Sequence, residues 1–310
     1  MVKHEFTFPS ADSKTNIHAV SWLPDGTPVA VLQIAHGISE YILRYEPFAQ
    51  YLTEQGFAVV GNDHIGHGLS VAEGAPWFYF GPQGSWNYVV DDLEQLRKLT
   101  HSQFPDLPYF LLGHSMGSFL ARTYLIRYPG TVNGAVIMGT GHLSPTVTAA
   151  AMAAIRGECR RNGENRPSEL ATRASFGIYN RRFAPNRTAM DWLSANPDNV
   201  DAYLADPLCQ GNATAGLFRE MLSGIRFVCD SANIRKMNRH TPVLFVSGDM
   251  DMVGDCGKGV KRAADAFRKA GMEDVTVKLY PGLRHEILKE AEHEQIQRDI
   301  YGWLTEKAGL

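Results

Sequence analysis

The chain predicts an α/β fold, in which a mostly parallel sheet is covered by helices on both faces and interrupted once by a helical insertion. Three observations carry this. Short runs at 29–35 (VAVLQIA), 57–63 (FAVVGND), 109–114 (YFLLGH), 135–139 (AVIMG), 243–248 (VLFVSG) and 275–280 (VTVKLY) are apolar on both faces, as strands buried from both sides are. Between most of them lie helix-length stretches with apolar residues at i, i+3 and i+4, such as VVDDLEQLRKLTHSQF at 89–104. The alternation lapses from about His142 to Asn238, where no strand pattern is found.

Each element follows from its local pattern. Residues 3–8 (KHEFTF) and 16–23 (NIHAVSWL) alternate polar with apolar, which predicts a hairpin of half-exposed strands and brings the sheet to eight strands. The run at 109–114 leads into MGSFLARTYLIRY, a helix pattern. Inside the lapse, AAAMAAIRGECRR at 149–161 is a strong helix former, and DWLSANPDNVDAYLADP at 191–207 carries several helix stops. The strand pattern resumes at Thr241–Gly248. The expected division is therefore a core of residues 1–141 and 239–310 with an inserted helical cap at 142–238.

Composition narrows the function. The 310 residues are 44% apolar and 20% charged, and Lys+Arg 30 against Asp+Glu 33 leaves a net charge of −3. No basic field is available for a phosphate backbone, so nucleic acid is not an expected partner. The opening MVKHEFTFPSADSKTN is too polar for a signal peptide, and no apolar run approaches the ~20 residues of a membrane span. Cys159, Cys209, Cys229 and Cys256 lie far apart without CxxC pairing, which argues against a zinc site and for a reducing compartment. The expectation is a cytoplasmic enzyme.

Candidate chemistry lies just past strands, at the edge of a parallel sheet where ligands bind. Ser115, in LLGHSMGSFL, stands between two glycines where a strand becomes a helix. Such a turn exposes a hydroxyl at a helix N-terminus, although GxSxG alone is a weak pattern that an ordinary tight turn also satisfies. A nucleophilic serine needs a base, and the base an orienting acid. Past 243–248 stand Asp249, Asp251 and Asp255, and past 275–280 stands His285. The order Ser, Asp, His is that of α/β-hydrolases. After 29–35 comes HGISE, a glycine turn whose Ile38 amide, with that of Met116, suits an oxyanion. A plain turn and a loop histidine are the ordinary readings of these segments one at a time; their joint occurrence favours the chemical one.

These residues sit in segments that resemble the monoacylglycerol lipase/lysophospholipase group of α/β-hydrolases: HGISEYILRYEPFAQYL at 36–52, NDHIGHGLS at 62–70, LLGHSMGS at 111–118, SGDMDMVGD at 247–255 and YPGLRHEILKE at 280–290. The resemblance covers almost the whole chain. It implies Ser115 as nucleophile, His285 as base and Asp251 as the acid, since the acid of such relatives lies three residues beyond the glycine ending its strand. It also implies Ile38 and Met116 as oxyanion donors, and Glu40 and Arg44 at the polar end of the substrate pocket. No cofactor or metal is implied. One departure is Leu288, where mammalian monoacylglycerol lipases carry a second histidine.

Other signals are assigned to structure. The HxxH of Asp63-His64-Ile65-Gly66-His67 is read as a turn, because Gly66 and Gly68 do not suit a helix. GDCGKGV at 254–260 fails the phosphate-loop template, with Met252 and Gly259 at its defining positions. His114 is expected to be structural, and PWFYF at 76–80 to be packing or an entrance lining. The expected reaction is hydrolysis of a small acyl ester through an acyl-enzyme, the substrate a single-chain lipid ester. AAAMAAI and FGIY (176–179) would cover the acyl chain or pack the cap on the core, and contact with a lipid surface would be transient, since no basic amphipathic helix is seen. A general carboxylesterase, thioesterase or peptidase is the alternative within the chemistry, and a non-catalytic binding protein the alternative outside it.

Overall fold

A computed structural model describes all 310 residues. Eight strands form one sheet: β1 Val2–Pro9, β2 Asn16–Leu23, β3 Ala30–Ala35, β4 Phe57–Asn62, β5 Tyr109–His114, β6 Gly134–Met138, β7 Val243–Gly248 and β8 Val275–Tyr280. Their order is β1-β2-β4-β3-β5-β6-β7-β8, antiparallel where β2 meets β1 and β4 and parallel from β4 through to β8. All eight strand readings correspond to observed strands; β2, β5, β7 and β8 keep the expected bounds, and β1, β3, β4 and β6 differ by one residue at one or both ends. Of the six runs read as apolar on both faces only β8 departs, an edge strand with Thr276 and Lys278 exposed; β2, read as half-exposed, is mostly buried because it lies between β1 and β4.

Side chains alternate across the sheet and build two apolar layers. Val31, Leu111, Ile137 and Phe245 face α2 (Trp86–Gln103), α3 (Met116–Arg127) and α10 (Lys258–Lys269). Leu32, Leu112, Val136 and Val246 face α1 (Glu46–Glu54) and α11 (His293–Ala308). Burying each such side chain contributes about 1.5–3 kcal/mol, so the inner strands are the least deformable part of the molecule.

Between β6 and β7 the chain makes only helices: α4 Pro145–Asn162, α5 Glu169–Thr172, a π-helical turn Arg173–Gly177, α6 Ile178–Arg181, α7 Pro197–Ala205, α8 Ala215–Cys229 and α9 Ser231–Ile234. Most begin at a capping side chain: the acceptors of Ser144, Ser168, Asn196, Thr214 and Asp230 take the free amides of the first turn. Proline follows two of those caps, at Pro145 and Pro197, so α4 starts four residues earlier than its alanine run suggests. Arg122 of α3 ties both ends of this insertion to the core, donating to Thr140 Oγ1 and Gly141 O on the way out and to Val228 O on the way back.

Candidate active site

β5 delivers Ser115. The residue has φ +53° and ψ −120°, a left-handed conformation that a side chain adopts only when its surroundings force it. The flanking glycines supply that force by close approach. A Cβ on Gly113 would stand 2.2 Å from Gly117 O, and one on Gly117 would stand 2.0 Å from Ala35 O, so β3, β5 and α3 meet where only hydrogen fits. The turn is pinned by Ser115 N donating to Met138 O at 3.0 Å and Ser118 Oγ donating to Ser115 O at 2.6 Å. The side chain is thereby held above the carboxyl edge of the sheet.

Asp251 and His285 arrive on loops from β7 and β8, which are stitched together before either residue is reached. Asp249 N donates to Tyr280 O and Met250 N to Leu283 O, each at 3.0 Å. Asp249 itself spends its carboxylate on Gly282 N at 2.8 Å, and Asp255 pairs with Arg262 at 3.0 Å. Asp251 alone of the three reaches the histidine, with Oδ2 3.0 Å from His285 Nδ1. Its oxygens also accept from Ser247 Oγ at 3.0 Å and Val253 N at 2.9 Å. Burial pushes this carboxyl up, but His285 and those donors outweigh it and hold it below the usual range. Burial likewise opposes the imidazolium of His285, yet the Asp251 carboxylate, with lesser help from Glu286 and Glu40, raises its pKa above the ordinary value.

The other ring nitrogen of His285, Nε2, is buried with no hydrogen-bond partner, and the ring lines one cavity together with Ser115, Gly37, Ile38, Glu40 and His114. The cavity measures about 20 Å³, room for little more than a water. Ile38 borders it from the loop after β3, and Met116 is the first residue of α3, beside the serine. All five residues of the expected catalytic constellation thus meet at one sheet edge.

Glu40 and Arg44 fall in an ionic cluster behind the histidine. Glu40 accepts from Gly37 N at 2.5 Å, Tyr45 OH at 2.9 Å and Arg44 at 3.1 Å, with His114 Nδ1 3.0 Å away. Arg44 also grips Glu286 with two bonds, 2.8 and 3.2 Å, and Asn199 donates to the same carboxylate at 2.7 Å. Burial pushes Glu286 up, but Arg44 and Lys289 bring it down to about 2. Leu288 and Lys289 line the small gap beyond, with Glu40, Tyr45 and His114. His114 is held between Tyr45, Glu40 and the His285 carbonyl, a positioning arrangement that matches its structural reading.

Sequence reasoning singled out Phe176 within FGIY but missed Trp192 and the aromatic wall the two form. Trp192 packs 5.1 Å from the His285 ring, and Phe176, on the π-helical turn, stacks on Trp192 at 5.2 Å and 13°. Behind the wall, α4, α5, α6 and α8 enclose an apolar cavity of about 310 Å³, lined by Ala151, Ile155, Leu170, Tyr179, Phe218 and others, 13 of 15 being hydrophobic. Both apolar stretches singled out in the insertion border a cavity, AAAMAAI the large one and Phe176 of FGIY the small one. Phe78 and Phe80 of PWFYF pack on His67 and are buried in the core, as the packing reading expects, while Trp77 of the same run is exposed. The His64–His67 segment is a turn stapled by Asp63, which accepts from Ile42 N and Leu69 N, each at 2.8 Å, and pairs with His18 at 2.9 Å.

A parallel sheet of this order, with a strained serine after β5 and an acid and a histidine after β7 and β8, defines an α/β-hydrolase-fold protein. Comparison with known sequences narrows the class: the chain belongs to the family described as serine aminopeptidase, S33, which matches residues 26–292. It is 30% identical to a monoacylglycerol lipase of Mycolicibacterium smegmatis over 92% of this chain and 91% of that one. It is 29% identical to a human monoglyceride lipase, over 92% and 86%. Among solved structures it resembles a thermostable carboxyl esterase of Bacillus coagulans, crystallised with glycerol, with TM-score 0.92, 27% identity and 99% of each chain covered.

Proposed function

We propose that this protein is a serine ester hydrolase that cleaves single-chain lipid esters of the monoacylglycerol type. The observation that carries the reading is the buried Asp251–His285 pair, whose imidazole keeps Nε2 unpartnered and lines the same small cavity as Ser115. Ser115 Oγ attacks the ester carbonyl while His285 Nε2 takes its proton, and Asp251 stabilises the imidazolium. The amides of Ile38 and Met116 receive the oxyanion. His285 then protonates the leaving alcohol, water attacks the acyl-enzyme with His285 again as base, and the acid leaves. No cofactor enters this scheme.

The insertion acts as a cap, residues 142–238, and its apolar cavity takes the acyl chain once Phe176 and Trp192 part. Similarity to monoacylglycerol lipases from a bacterium and from human supports the substrate class. A peptide reading is disfavoured by one feature. An aminopeptidase needs a carboxylate for the substrate ammonium, and the two that border the nucleophile, Glu40 and Glu286, are both engaged: Arg44 bridges them and Lys289 supplies a second positive charge nearby. We place the enzyme in the cytoplasm, a location supported by four free thiols. Hydrolysis of 1-monoacylglycerols, aryl esters and aminoacyl amides by the purified protein tests the reading; turnover of the amides alone would overturn it.

A further inference from the structure

The turn after β4 has no part in the catalytic scheme, yet its first histidine packs behind the loop that carries Ile38. His36, His64 and His67 are fully buried. The His36 and His64 rings stack at 3.9 Å, and the His67 ring lies 5.4 Å from that of His36. None of the three borders the cavity that holds Ser115. Packing alone would be met by any aromatic ring of this size, so the polar atoms carry the distinction.

Those atoms fix the tautomers. Burial, with His67 alongside, presses the His36 pKa down to about 3, and burial beside His36 and His67 holds His64 well below its ordinary value. Both rings are therefore neutral and carry one N–H each. His36 Nε2 accepts from His64 N at 2.9 Å, which leaves the proton on Nδ1 to donate to Gly37 O at 2.7 Å. His64 Nε2 donates to His36 O at 3.1 Å, and its Nδ1 has no partner. Two consecutive carbonyls of the loop are thus held by two rings. Gly37 N donates to Glu40 Oε1 at 2.5 Å, so the 36–37 peptide is held at both edges.

The next peptide is held at one edge only. The Gly37–Ile38 bond is trans, and in a trans peptide the N–H points away from the C=O. With Gly37 O drawn onto the His36 ring, the Ile38 amide is turned to the other side of the peptide, and it donates to no acceptor in the protein. Gly37 and Ile38 both line the cavity, and a Cβ on Gly37 would stand 3.1 Å from Ser115 Cβ, so the loop lies directly against the nucleophile.

We propose that His36 and His64 are positioning residues for the oxyanion amide of Ile38. The His36 ring holds Gly37 O and with it the direction of the Ile38 N–H. The His64 amide keeps His36 in the one tautomer able to do so, and the His64 ring holds the preceding carbonyl. The inference rests on the ester-hydrolase reading, which makes that amide an oxyanion donor; a donor fixed in advance costs no reorganisation when the charge develops.

Single substitutions test it, read on a soluble aryl ester and on an alkyl trifluoromethyl ketone, whose adduct with Ser115 carries the oxyanion. His36→Phe keeps a ring but neither bond. It should lower kcat about 10²-fold with KM within about threefold of wild type, and weaken ketone inhibition by the same factor as kcat/KM. Asparagine places an amide near the position of Nδ1 and glutamine near that of Nε2. His36→Asn therefore keeps a donor for Gly37 O and should recover about tenfold of the loss, whereas His36→Gln keeps only the contact to His64 N and should recover none. His64→Gln, which keeps a donor for His36 O, should be about tenfold more active than His64→Phe. If His36→Phe does not fold, the order of His36→Asn over His36→Gln still decides. Wild-type kcat in a folded His36→Phe, a His36→Gln as active as His36→Asn, or a fall in kcat without the matching loss of ketone affinity overturns the proposal. A wild-type protein that neither hydrolyses an ester nor binds the ketone sinks the hydrolase reading and takes this role with it; wild-type turnover with unaffected variants sinks this role alone.

Discussion

The two halves of the insertion are held to the rest of the molecule in different ways. Residues 191–209 are fastened by directed polar contacts. Leu193 O accepts from both His285 N and Glu286 N, at 3.0 and 2.7 Å, and Asp206 accepts from Tyr41 OH at 2.7 Å. Glu290, fully buried, gathers Ser194 Oγ, Ala195 N, Asn196 N and Arg284 N. Residues 145–190 are gathered mainly around an apolar cavity, with Glu164, which pairs with Tyr79 and Arg219, as a polar tie, and they carry a π-helical turn, a local distortion common at functional sites. Hydrogen bonds fix one geometry, whereas apolar contacts allow repacking. The histidine loop is thus fixed by the polar segment, and on the proposed function the acyl chain enters through the apolar one.

The strongest way to break this comparison is to remove the chemistry itself. Ser115→Ala should lower kcat by roughly 10⁴ or more and abolish labelling by a fluorophosphonate, and adding His285→Ala should cost little more, because the two act as one unit. Retained labelling would show that the nucleophile lies elsewhere. The rigid half is tested next through Glu290→Ala, which strands several buried donors at once. It should cost about 3–5 kcal/mol in denaturant unfolding. Phe176→Ala, in the half-buried wall of the other half, should cost no more than about 2 kcal/mol. Equal losses would mean that the halves are fastened alike.

How far the sequence led follows the same division. The strands and the Ser115, Asp251 and His285 segments were legible because buried strands, glycine-enforced turns and loop ends leave local marks in the chain. The choice among Asp249, Asp251 and Asp255 was not visible in spacing alone, since it depends on which carboxylate other loops already occupy; the family pattern pointed to Asp251. Trp192 and Phe176 lie in different segments of the insertion; Phe176 reads either as cover for an acyl chain or as packing, and nothing local marks Trp192 as its partner. Glu290 reads as a surface charge until Ser194–Asn196 is folded onto it. The aromatic wall and the Glu290 anchor are defined by contacts between distant segments, and no period or motif records those.

Acyl-chain length sharpens the role of the apolar part. Each methylene that enters the 310 Å³ cavity should contribute about 0.8 kcal/mol, or about fourfold in kcat/KM, until the cavity is full. Phe176→Ala should relieve the barrier for long chains more than for acetyl esters. A flat series, or a sharp optimum at acetyl, would show that the cavity does not receive the acyl group.

The smallest expected effect probes whether the rigid half tunes the base as well as holding it. His285 must be neutral to accept the serine proton, so kcat/KM should rise with pH through the histidine pKa, with a midpoint above the ordinary ~6.5. Burial alone would place that midpoint lower; the Asp251 carboxylate lifts it, and Glu286 adds to the lift. Glu286→Gln removes a negative neighbour and leaves Arg44 with one carboxylate fewer. Both changes make the proton harder to hold, so the acid limb should move to lower pH by about a few tenths of a unit. A limb that stayed in place or moved upward would show that Asn199, Arg44 and Glu286 only brace the histidine loop and have no electrostatic hold on its proton.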